Sequence, residues 1–360
     1  PDNLTLLENE GLVIHGSNAA YKSLSQFIDN HSLQSNEYYN EVKEQIDIAC
    51  FIDYQILQIY IHNGDWPGNN IKYWKTNHPW SKWRWLIFGS EFSFDIYGPP
   101  NQPNSMEFAT WAYNNGWPNP AWSTLFLRKL LVNPEFQNQF VNRMTDCLNA
   151  NLHSDALVSG IDSLENVIEP EFIHHLNRWE QSVYRWESEV ERLRTYVYQR
   201  NDILLGYVQD FFDFKATKLL TVTVSDEKAG KVRINSILSD GYPFRGNYFS
   251  EVPLTLTALP QPGYRFVRWE NGSESSERIL NVNLTSNKQY HAVFELSEPN
   301  NKHVIINEIN YRSAPDADAG DWVEIFNFGE QSVDLSGWIL QDDQAANAFS
   351  FPSGLLLDPG

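Results

Sequence analysis

The hydrophobic pattern changes its period near Phe214, and this change constrains the fold of the chain more than any other feature. Before it, apolar residues recur at helical spacing, for example at Tyr21, Leu24 and Ile28. After it, short segments such as Leu220–Val224 alternate apolar and polar residues between Gly and Pro turns. The sequence therefore predicts a mainly helical region followed by a β-rich region.

The helical region is predicted to contain one pair of strands. Helices are expected within residues 18–62, near 122–132, 134–150 and 154–168, and from about 182 to 212, with strands at 71–74 and 83–88 and a loop at 98–120. In the last helix, charged residues beside the apolar stripe are expected to form a solvated face: Glu187, Glu189, Glu191, Arg192 and Arg194.

The length of 360 residues suggests two or three domains, because domains usually contain about 100–200 residues. The β-rich region divides at a linker, residues 297–302, so the expected domains are residues 1–214, 217–296 and 303–360. We expect few contacts across the first boundary, and hence a helical region that stays folded without residues 217–360. The chain begins without Met and stops soon after a strand-like segment, so both end domains are expected to be truncated.

Charge and composition exclude several classes of partner. The formal net charge of −20 would repel a phosphate backbone, so no nucleic acid is expected as a partner. No apolar run is long enough for a membrane span. Cys50 and Cys147 are the only cysteines and lie in predicted helices, so free thiols are the simpler interpretation, although their pairing stays open.

One loop of the helical region has the spacing of a catalytic loop. Asp65 and Asn70 are five residues apart in a turn-rich segment between an apolar helix and a strand. In protein kinases this spacing separates the Asp that accepts the hydroxyl proton from the Asn that holds metal. Asp, Asn, Gly and Pro are also ordinary turn residues, and taken alone the spacing favours a simple turn.

The longer sequence around this loop favours a catalytic loop over a simple turn. The chain closely resembles the CotH (spore-coat H) kinase family at residues 62–74, from His62 to Trp74, and at residues 82–88, Lys-Trp-Arg-Trp-Leu-Ile-Phe. The resemblance covers roughly residues 10–213. It continues at these positions: Thr124–Phe126, Asn133–Phe136, Phe140, Arg143, Ile168–Glu171, His175, Arg178–Trp179, Trp186, Arg194 and Arg200. The resemblance implies an atypical protein-kinase-like fold, here its mainly α C-lobe with the N-terminal lobe missing. It further implies binding of ATP and Mg²⁺ or Mn²⁺, and phosphorylation of Ser or Thr on a protein.

The family's functional residues carry over to four positions. Asp65 matches the catalytic Asp, Asn69 and Asn70 match the cofactor side of the site, and Asn70 and Glu91 match the metal side. One position departs from the family, which usually has Asp-x-Asp-Phe where this chain has Gly-Ser-Glu-Phe, beginning at Gly89. Glycine supplies no carboxylate, the ligand that Mg²⁺ favours, so we expect impaired activity. The resemblance also implies a nucleotide-covering lobe with a phosphate-contacting Lys, which this chain lacks, so we expect poor ATP binding by this chain alone.

The β-rich region resembles two further families. Residues such as Gly230–Asn235, Tyr242–Gly246 and Trp269 resemble the bacterial repeat related to internalin B-repeats, which implies a β-grasp-like spacer. Gly320–Asn327 and Val333–Trp338 resemble a lamin-tail domain, which implies an immunoglobulin-like sandwich. Trp269 is interpreted as core rather than as a sugar platform. The alternating acids Asp316, Asp318 and Asp321 are compatible with Ca²⁺, but a solvated acidic turn is the simpler interpretation.

Two functions follow from these patterns. In the first, the chain is part of a secreted or surface-exposed bacterial protein kinase whose protein substrate the sequence does not identify. In the second, it is a catalytically inactive kinase-like surface or adhesion protein that uses its β-domains for attachment to a cell-surface or extracellular partner. In both, Asp65 and Glu91 are expected to converge beside the strand pair, because antiparallel strands return the chain towards its start.

Overall fold

The computed structural model describes residues 3–78, 80–96, 104–112, 118–180, 183–239, 241–261, 264–296, 303–311, 320–336, 338–341, 348–352 and 354–360. Its helices are α1 (Ala19–Asn30), α2 (Asn36–Gln45), α3 (Ile48–Ile61), α4 (Ser105–Thr110), α5 (Leu125–Leu130), α6 (Pro134–Asn149), α7 (Ser154–Arg178) and α8 (Val183–Phe212). Strands β1 (Leu4–Glu8), β2 (Leu12–His15), β3 (Lys72–Thr76) and β4 (Arg84–Leu86) lie among the helices.

The remaining strands follow α8. They are β5 (Lys218–Val224), β6 (Gly230–Ile234), β7 (Ile237–Leu238), β8 (Phe244–Tyr248), β9 (Leu254–Pro260), β10 (Tyr264–Glu270), β11 (Ile279–Val282), β12 (Lys288–Leu296), β13 (Val304–Asn310), β14 (Trp322–Asn327), β15 (Val333–Asp334), β16 (Ile339–Leu340), β17 (Phe349–Ser350) and β18 (Leu356–Leu357). The predicted order, a helical region followed by a β-rich region, is confirmed.

Helix α3 lies at the centre of the helical core. Its sequence is apolar on almost every face, which is the pattern of a fully buried helix. The Phe51 ring contacts Trp85 of β4 and Phe136 of α6, with centroids 4.7 and 6.3 Å apart. Asp47 caps the start of α3 by accepting a hydrogen bond from the Cys50 amide at 3.1 Å. The helix that carries the candidate loop is therefore firmly anchored.

The strand pair β3–β4 is antiparallel, as predicted, but it belongs to a larger sheet with the order β2-β1-β3-β4. Strand β1 pairs with β3 along its whole length, from Leu4 opposite Thr76 to Glu8 opposite Lys72. The sequence did not predict β1 and β2. All four residues of β2 are exposed, and β1 is held by a partner distant in the sequence, so local alternation carries little signal.

Two predictions about the helices were wrong. The expected loop at 98–120 contains α4, which forms because Asn104 caps the amides of Met106 and Glu107. Helix α7 continues past the expected end at residue 168, through Pro170, to Arg178. Proline normally interrupts a helix. Here the distal part of α7 packs against α8, where the Phe172 and Trp186 rings lie 4.3 Å apart.

The first β-rich segment, residues 218–296, has its own core between two four-stranded sheets, ordered β10-β12-β5-β8 and β11-β9-β6-β7. Strands β12 and β5 run parallel. Trp269 is fully buried in this core, and its Nε1 donates to the Glu277 carbonyl at 2.9 Å. The core interpretation of Trp269 is therefore confirmed.

The boundary between the helical region and this segment is closely packed, contrary to expectation. Phe249 and Val252, which follow β8, are buried in the core of the helical region. Asn142 of α6 donates to the Pro253 carbonyl at 2.9 Å. Asn149 of α6 exchanges two hydrogen bonds with the backbone of Asn247, each 3.0 Å long. The expectation of few contacts was wrong because a change of hydrophobic period marks a change of fold and not a gap in packing.

The last segment, from residue 303, forms three two-stranded antiparallel pairs in the part that the structure describes: β13–β14, β15–β18 and β16–β17. Asn327, Val333 and Leu335 are its buried residues there. Asp316 and Asp318 lie outside the described residues, and Asp321 is exposed. No helix in the described ranges is both long and apolar enough to cross a membrane. Cys50 and Cys147 are free and half-buried.

Candidate functional site

The candidate loop begins where α3 ends. His62 adopts a left-handed conformation (φ 49°), and its amide donates to the Gln58 carbonyl, which turns the chain out of the helix. Asn63 then becomes the centre of the loop. Its side chain donates to Gln58 Oε1 at 3.1 Å and to the Gly89 carbonyl at 3.0 Å, and it accepts from the Asp65 amide at 3.1 Å. The loop is thus held by buried amides.

Asp65 and Asn70 are in contact. Asp65 is 9% exposed, and its Oδ2 accepts a hydrogen bond from Asn70 Nδ2 at 3.3 Å. The same nitrogen donates to the Gly89 carbonyl at 2.8 Å. Because a carboxylate and a carbonyl only accept, the Asn70 nitrogen must face them, and its oxygen faces away. Asn69 precedes Asn70 in this turn and is half-buried.

Gly89 lies directly under the Asn70 side chain. Its φ is +61°, a conformation that favours glycine, and a Cβ placed there would lie 2.5 Å from Asn70 Cγ. Any side chain at position 89 therefore requires Asn70 to move. The Asn70 amide occupies the space into which a carboxylate at position 89 would extend.

Glu91 is exposed and lies in a turn next to the Asp65 loop, since the Gly64 amide donates to the Phe92 carbonyl at 2.8 Å. Whether Glu91 and Asp65 share an ion stays a prediction. The Gly89 carbonyl already accepts from Asn63 and Asn70, and no group of three or more His, Cys, Asp and Glu side chains in the described part of the chain could hold a metal. These residues alone do not complete the octahedral oxygen shell of Mg²⁺, which would need further oxygen ligands.

A second group of residues surrounds the end of α3 and was not predicted. His62 Nδ1 contacts Asp95 Oδ1, and both side chains are buried. Phe94 and Asp95 have φ values of 59° and 52°, a conformation that costs a non-glycine residue about 1–2 kcal/mol. Such strain persists only where the surroundings impose it, and it is concentrated at functional sites.

Helix α8 provides much of these surroundings. Arg200 is fully buried and donates to the carbonyls of Tyr60 and Ile59 at 2.7 and 2.5 Å. Burial lowers the pKa of the Arg200 guanidinium from its ordinary value, and Asp95 opposes this shift. Arg192 donates to the Phe94 carbonyl at 2.5 Å. The predicted solvated face was therefore wrong at Arg192, because a carbonyl from a distant loop lies within its reach.

Another buried carboxylate, Asp146 of α6, lies at the boundary with the β-rich segment. It is fully buried and accepts four hydrogen bonds: from Tyr248 Oη at 2.9 Å, Asn235 Nδ2 at 3.1 Å, the Ser236 amide at 3.1 Å and Ser236 Oγ at 2.6 Å. Burial raises the pKa of the Asp146 carboxyl, while these hydrogen bonds lower it. The residue lines a groove of about 640 Å³, beside the ion pair between Asp53 and Arg143. No sequence pattern singled out Asp146, because its partners lie in another segment.

Comparison with protein-family models gives three consecutive matches. Residues 8–204, more than half of the chain, match CotH kinase protein. Residues 220–298 match the divergent InlB B-repeat domain, and residues 297–360 match the lamin tail domain. No curated protein matches the chain.

Proposed function

The chain belongs to the CotH kinase family, and from this premise we propose that its helical region carries the Asp65 part of an ATP-dependent phosphotransfer site. The three resemblances inferred from the sequence, and their order, are confirmed by the family matches. CotH kinases in general use ATP and a divalent metal. In this proposal the helical region, residues 1–214, is a kinase-like C-lobe, residues 217–296 are β-grasp-like, and residues 303–360 form an immunoglobulin-like domain.

The proposal rests on the burial and the hydrogen bonding of the Asp65 carboxylate. Its carboxylate is largely buried, but among the described residues only Asn70 donates a side-chain hydrogen bond to it, at 3.3 Å. A buried carboxylate with unused acceptor capacity can accept a proton from a hydroxyl group. The contact with Asn70 supports the comparison with the Asp and Asn of the kinase catalytic loop.

The proposed reaction follows from this arrangement. A substrate Ser or Thr hydroxyl gives its proton to Asp65 as its oxygen bonds to the γ-phosphorus of ATP. The bond from that phosphorus to the β,γ-bridging oxygen breaks, and ADP leaves with the electron pair. In this proposal Asn69 and Asn70 would bind the phosphates, and Asn70 and Glu91 would hold a divalent ion, which would offset phosphate charge.

Gly89 makes the proposed activity weak. The position offers only a carbonyl, which already accepts from two asparagine side chains. A Gly89→Asp substitution would restore the family's carboxylate but would also displace Asn70, because the two side chains compete for one space. Because position 89 lacks the family's carboxylate, we propose slow phosphotransfer by the protein that contains this chain.

The test is phosphorylation by the full-length protein with ATP and Mg²⁺ or Mn²⁺, measured as incorporation of labelled phosphate. We expect low incorporation that falls about 100-fold in Asp65→Asn, which keeps the shape of the side chain but removes the base. Asp29→Asn is the matched control, since Asp29 is an exposed carboxylate on α1. Equal incorporation by the Asp65→Asn variant and the unmodified protein would show that another group is the base.

A second function is favoured by the contact between Asn70 and Gly89. If this contact excludes the metal, the helical region is a catalytically inactive scaffold, and the B-repeat and lamin tail domains attach the protein to a cell-surface or extracellular partner. The CotH and B-repeat domains are compatible with a surface or extracellular location. Calorimetry of the full-length protein with ATP and Mg²⁺ separates the two proposals, because the scaffold predicts a folded protein without heat of binding.

A further inference from the structure

We propose that α8 is the positioning element of the candidate site, and that Arg192, Tyr196 and Arg200 hold the Asp65 loop and the loop at residues 89–95 in one arrangement. The inference rests on the proposed function, because it defines positions relative to Asp65. None of the three side chains is a catalytic residue, since each acts through the backbone of another segment.

Arg200 and Tyr196 hold the end of α3. The last carbonyls of a helix lack partners within it. Here Tyr196 Oη donates to the Tyr60 carbonyl at 2.6 Å, and Arg200 Nε donates to the same oxygen at 2.7 Å. Arg200 also donates to Ser105 Oγ of α4 at 2.7 Å. These bonds fix the point from which the chain enters the Asp65 loop.

Arg192 and Tyr196 hold the other loop. Arg192 Nη1 donates to the Phe94 carbonyl, and the Tyr196 ring packs edge-on against the Phe94 ring at 5.4 Å. Phe94 and Asp95 both have positive φ values, so this loop needs external contacts to keep its shape. Asp95 is further held by the His62 imidazole, which belongs to the end of α3.

The two loops are also joined directly. The Phe94 amide donates to the Ile61 carbonyl at 2.7 Å, and the Gly64 amide donates to the Phe92 carbonyl at 2.8 Å. The three α8 residues are spaced by four, so they lie on one face of the helix and reach both loops at once. Helix α8 therefore holds the end of α3 and the Phe94 backbone together, while Asn63 and Asn70 join the two loops at the Gly89 carbonyl.

Hydrogen exchange measured by mass spectrometry tests the proposal without any need for catalysis. In Arg192→Ala we expect the Gly64 and Phe94 amides to exchange about ten-fold faster, because a charge-assisted hydrogen bond to the Phe94 carbonyl is lost. Arg192→Lys keeps a charged donor and should restore most of the protection. Tyr196→Phe keeps the ring contact and should affect mainly residues 59–66.

Arg194→Ala is the matched control. Arg194 lies two residues away on α8 and is bonded to Asp162 and Glu165 of α7, far along the chain from both loops. Faster exchange in both loops for Arg192→Ala but not for Arg194→Ala supports the proposal. Unchanged exchange in both variants overturns it, and so does a uniform increase over the whole chain, which would indicate general destabilisation.

Activity adds a separate measurement. If the parent protein transfers phosphate, Arg192→Ala should lower kcat about ten-fold and leave the KM for ATP within about two-fold, because a positioning defect acts on the reaction more than on binding. A change in KM alone overturns the positioning role. Absence of phosphotransfer in the unmodified protein counts against the proposed function only, since the exchange experiment still decides whether α8 holds the loops.

Discussion

Asp65 and Asp146 are both buried aspartates, and their surroundings differ in a way that separates structure from chemistry. Asp146 receives four hydrogen bonds from three residues of the β-rich segment. Within the described residues, the Asp65 carboxylate receives one long side-chain bond, from Asn70. A satisfied carboxylate joins two segments and has no acceptor capacity left for a substrate, whereas a partly satisfied one keeps it.

The comparison teaches that burial alone does not identify a catalytic carboxylate. Asp146 is more buried than Asp65, lines a sizeable groove and lies beside an Arg residue, all of which suggest a site. Its complete set of donors assigns it to the joint between the helical region and the B-repeat domain instead. The number of unused acceptor positions distinguishes the two residues better than exposure does.

The largest effect is expected from removing the partner surface of Asp146. Deletion of residues 217–360 takes Phe249 and Val252 out of the helical core and leaves Asp146 without its donors. The loss should be about 5 kcal/mol or more, comparable with the stability of a whole domain. We expect the helical region to lose cooperative thermal unfolding in calorimetry.

Deletion of residues 303–360 is the control, because no described residue of that segment belongs to the helical core. It should leave the main thermal transition of the helical region in place. If both deletions leave the same transition, the boundary packing contributes little, and the original expectation of independent domains is right.

Single substitutions sharpen the comparison. Asp146→Ala leaves several buried donors unsatisfied and should lower the free energy of unfolding by about 3 kcal/mol, whereas Asp65→Ala removes one weak bond and should cost about 1 kcal/mol or less. Asp53→Ala is a control in the same groove, since its ion pair is half-exposed. Urea unfolding of the three variants measures the order, and a larger loss for Asp65→Ala would contradict it.

Substitution at position 89 tests how tightly Asn70 is packed beside the Asp65 carboxylate. Gly89→Ala places a methyl group against Asn70 in a left-handed conformation and should cost about 2 kcal/mol. Gly160→Ala in α7 is the control, because nothing surrounds that position and alanine favours a helix. A neutral Gly89→Ala in thermal unfolding would mean that Asn70 moves easily and that the space is available for a ligand.

The smallest effect is a dependence on pH. Burial raises the pKa of Asp146 in the folded protein above its value in the unfolded protein. Between these two pKa values the folded state binds more protons than the unfolded state, so the free energy of unfolding falls as pH rises through this range. The stability difference between the unmodified protein and Asp146→Asn should therefore shrink from acidic to neutral pH. A difference that grows with pH would show that the hydrogen bonds outweigh burial.

Local patterns predicted the parts of the fold that local forces determine. Helix α6 was expected at residues 134–150 and is found at Pro134–Asn149. Asp65 and Asn70 were selected by their spacing, but the hydrogen bond between them was not predicted. Contacts between distant segments were missed. The charged residues around Arg192 have the pattern of a solvated face, and only the fold shows that Arg192 bonds the Phe94 carbonyl. Likewise, the residues next to Asp146 in the sequence do not indicate that Tyr248 is its partner.

The close packing of the B-repeat domain on α6 has a mechanical consequence. Asn149 and Asn247 exchange two hydrogen bonds, so the β8 strand and the end of α6 are clamped together. Helix α6 in turn packs through Phe136 on Phe51 of α3, the helix that leads into the Asp65 loop. A mechanical force applied to the B-repeat domain would therefore act on α6 and α3, the helices that lead to the Asp65 loop.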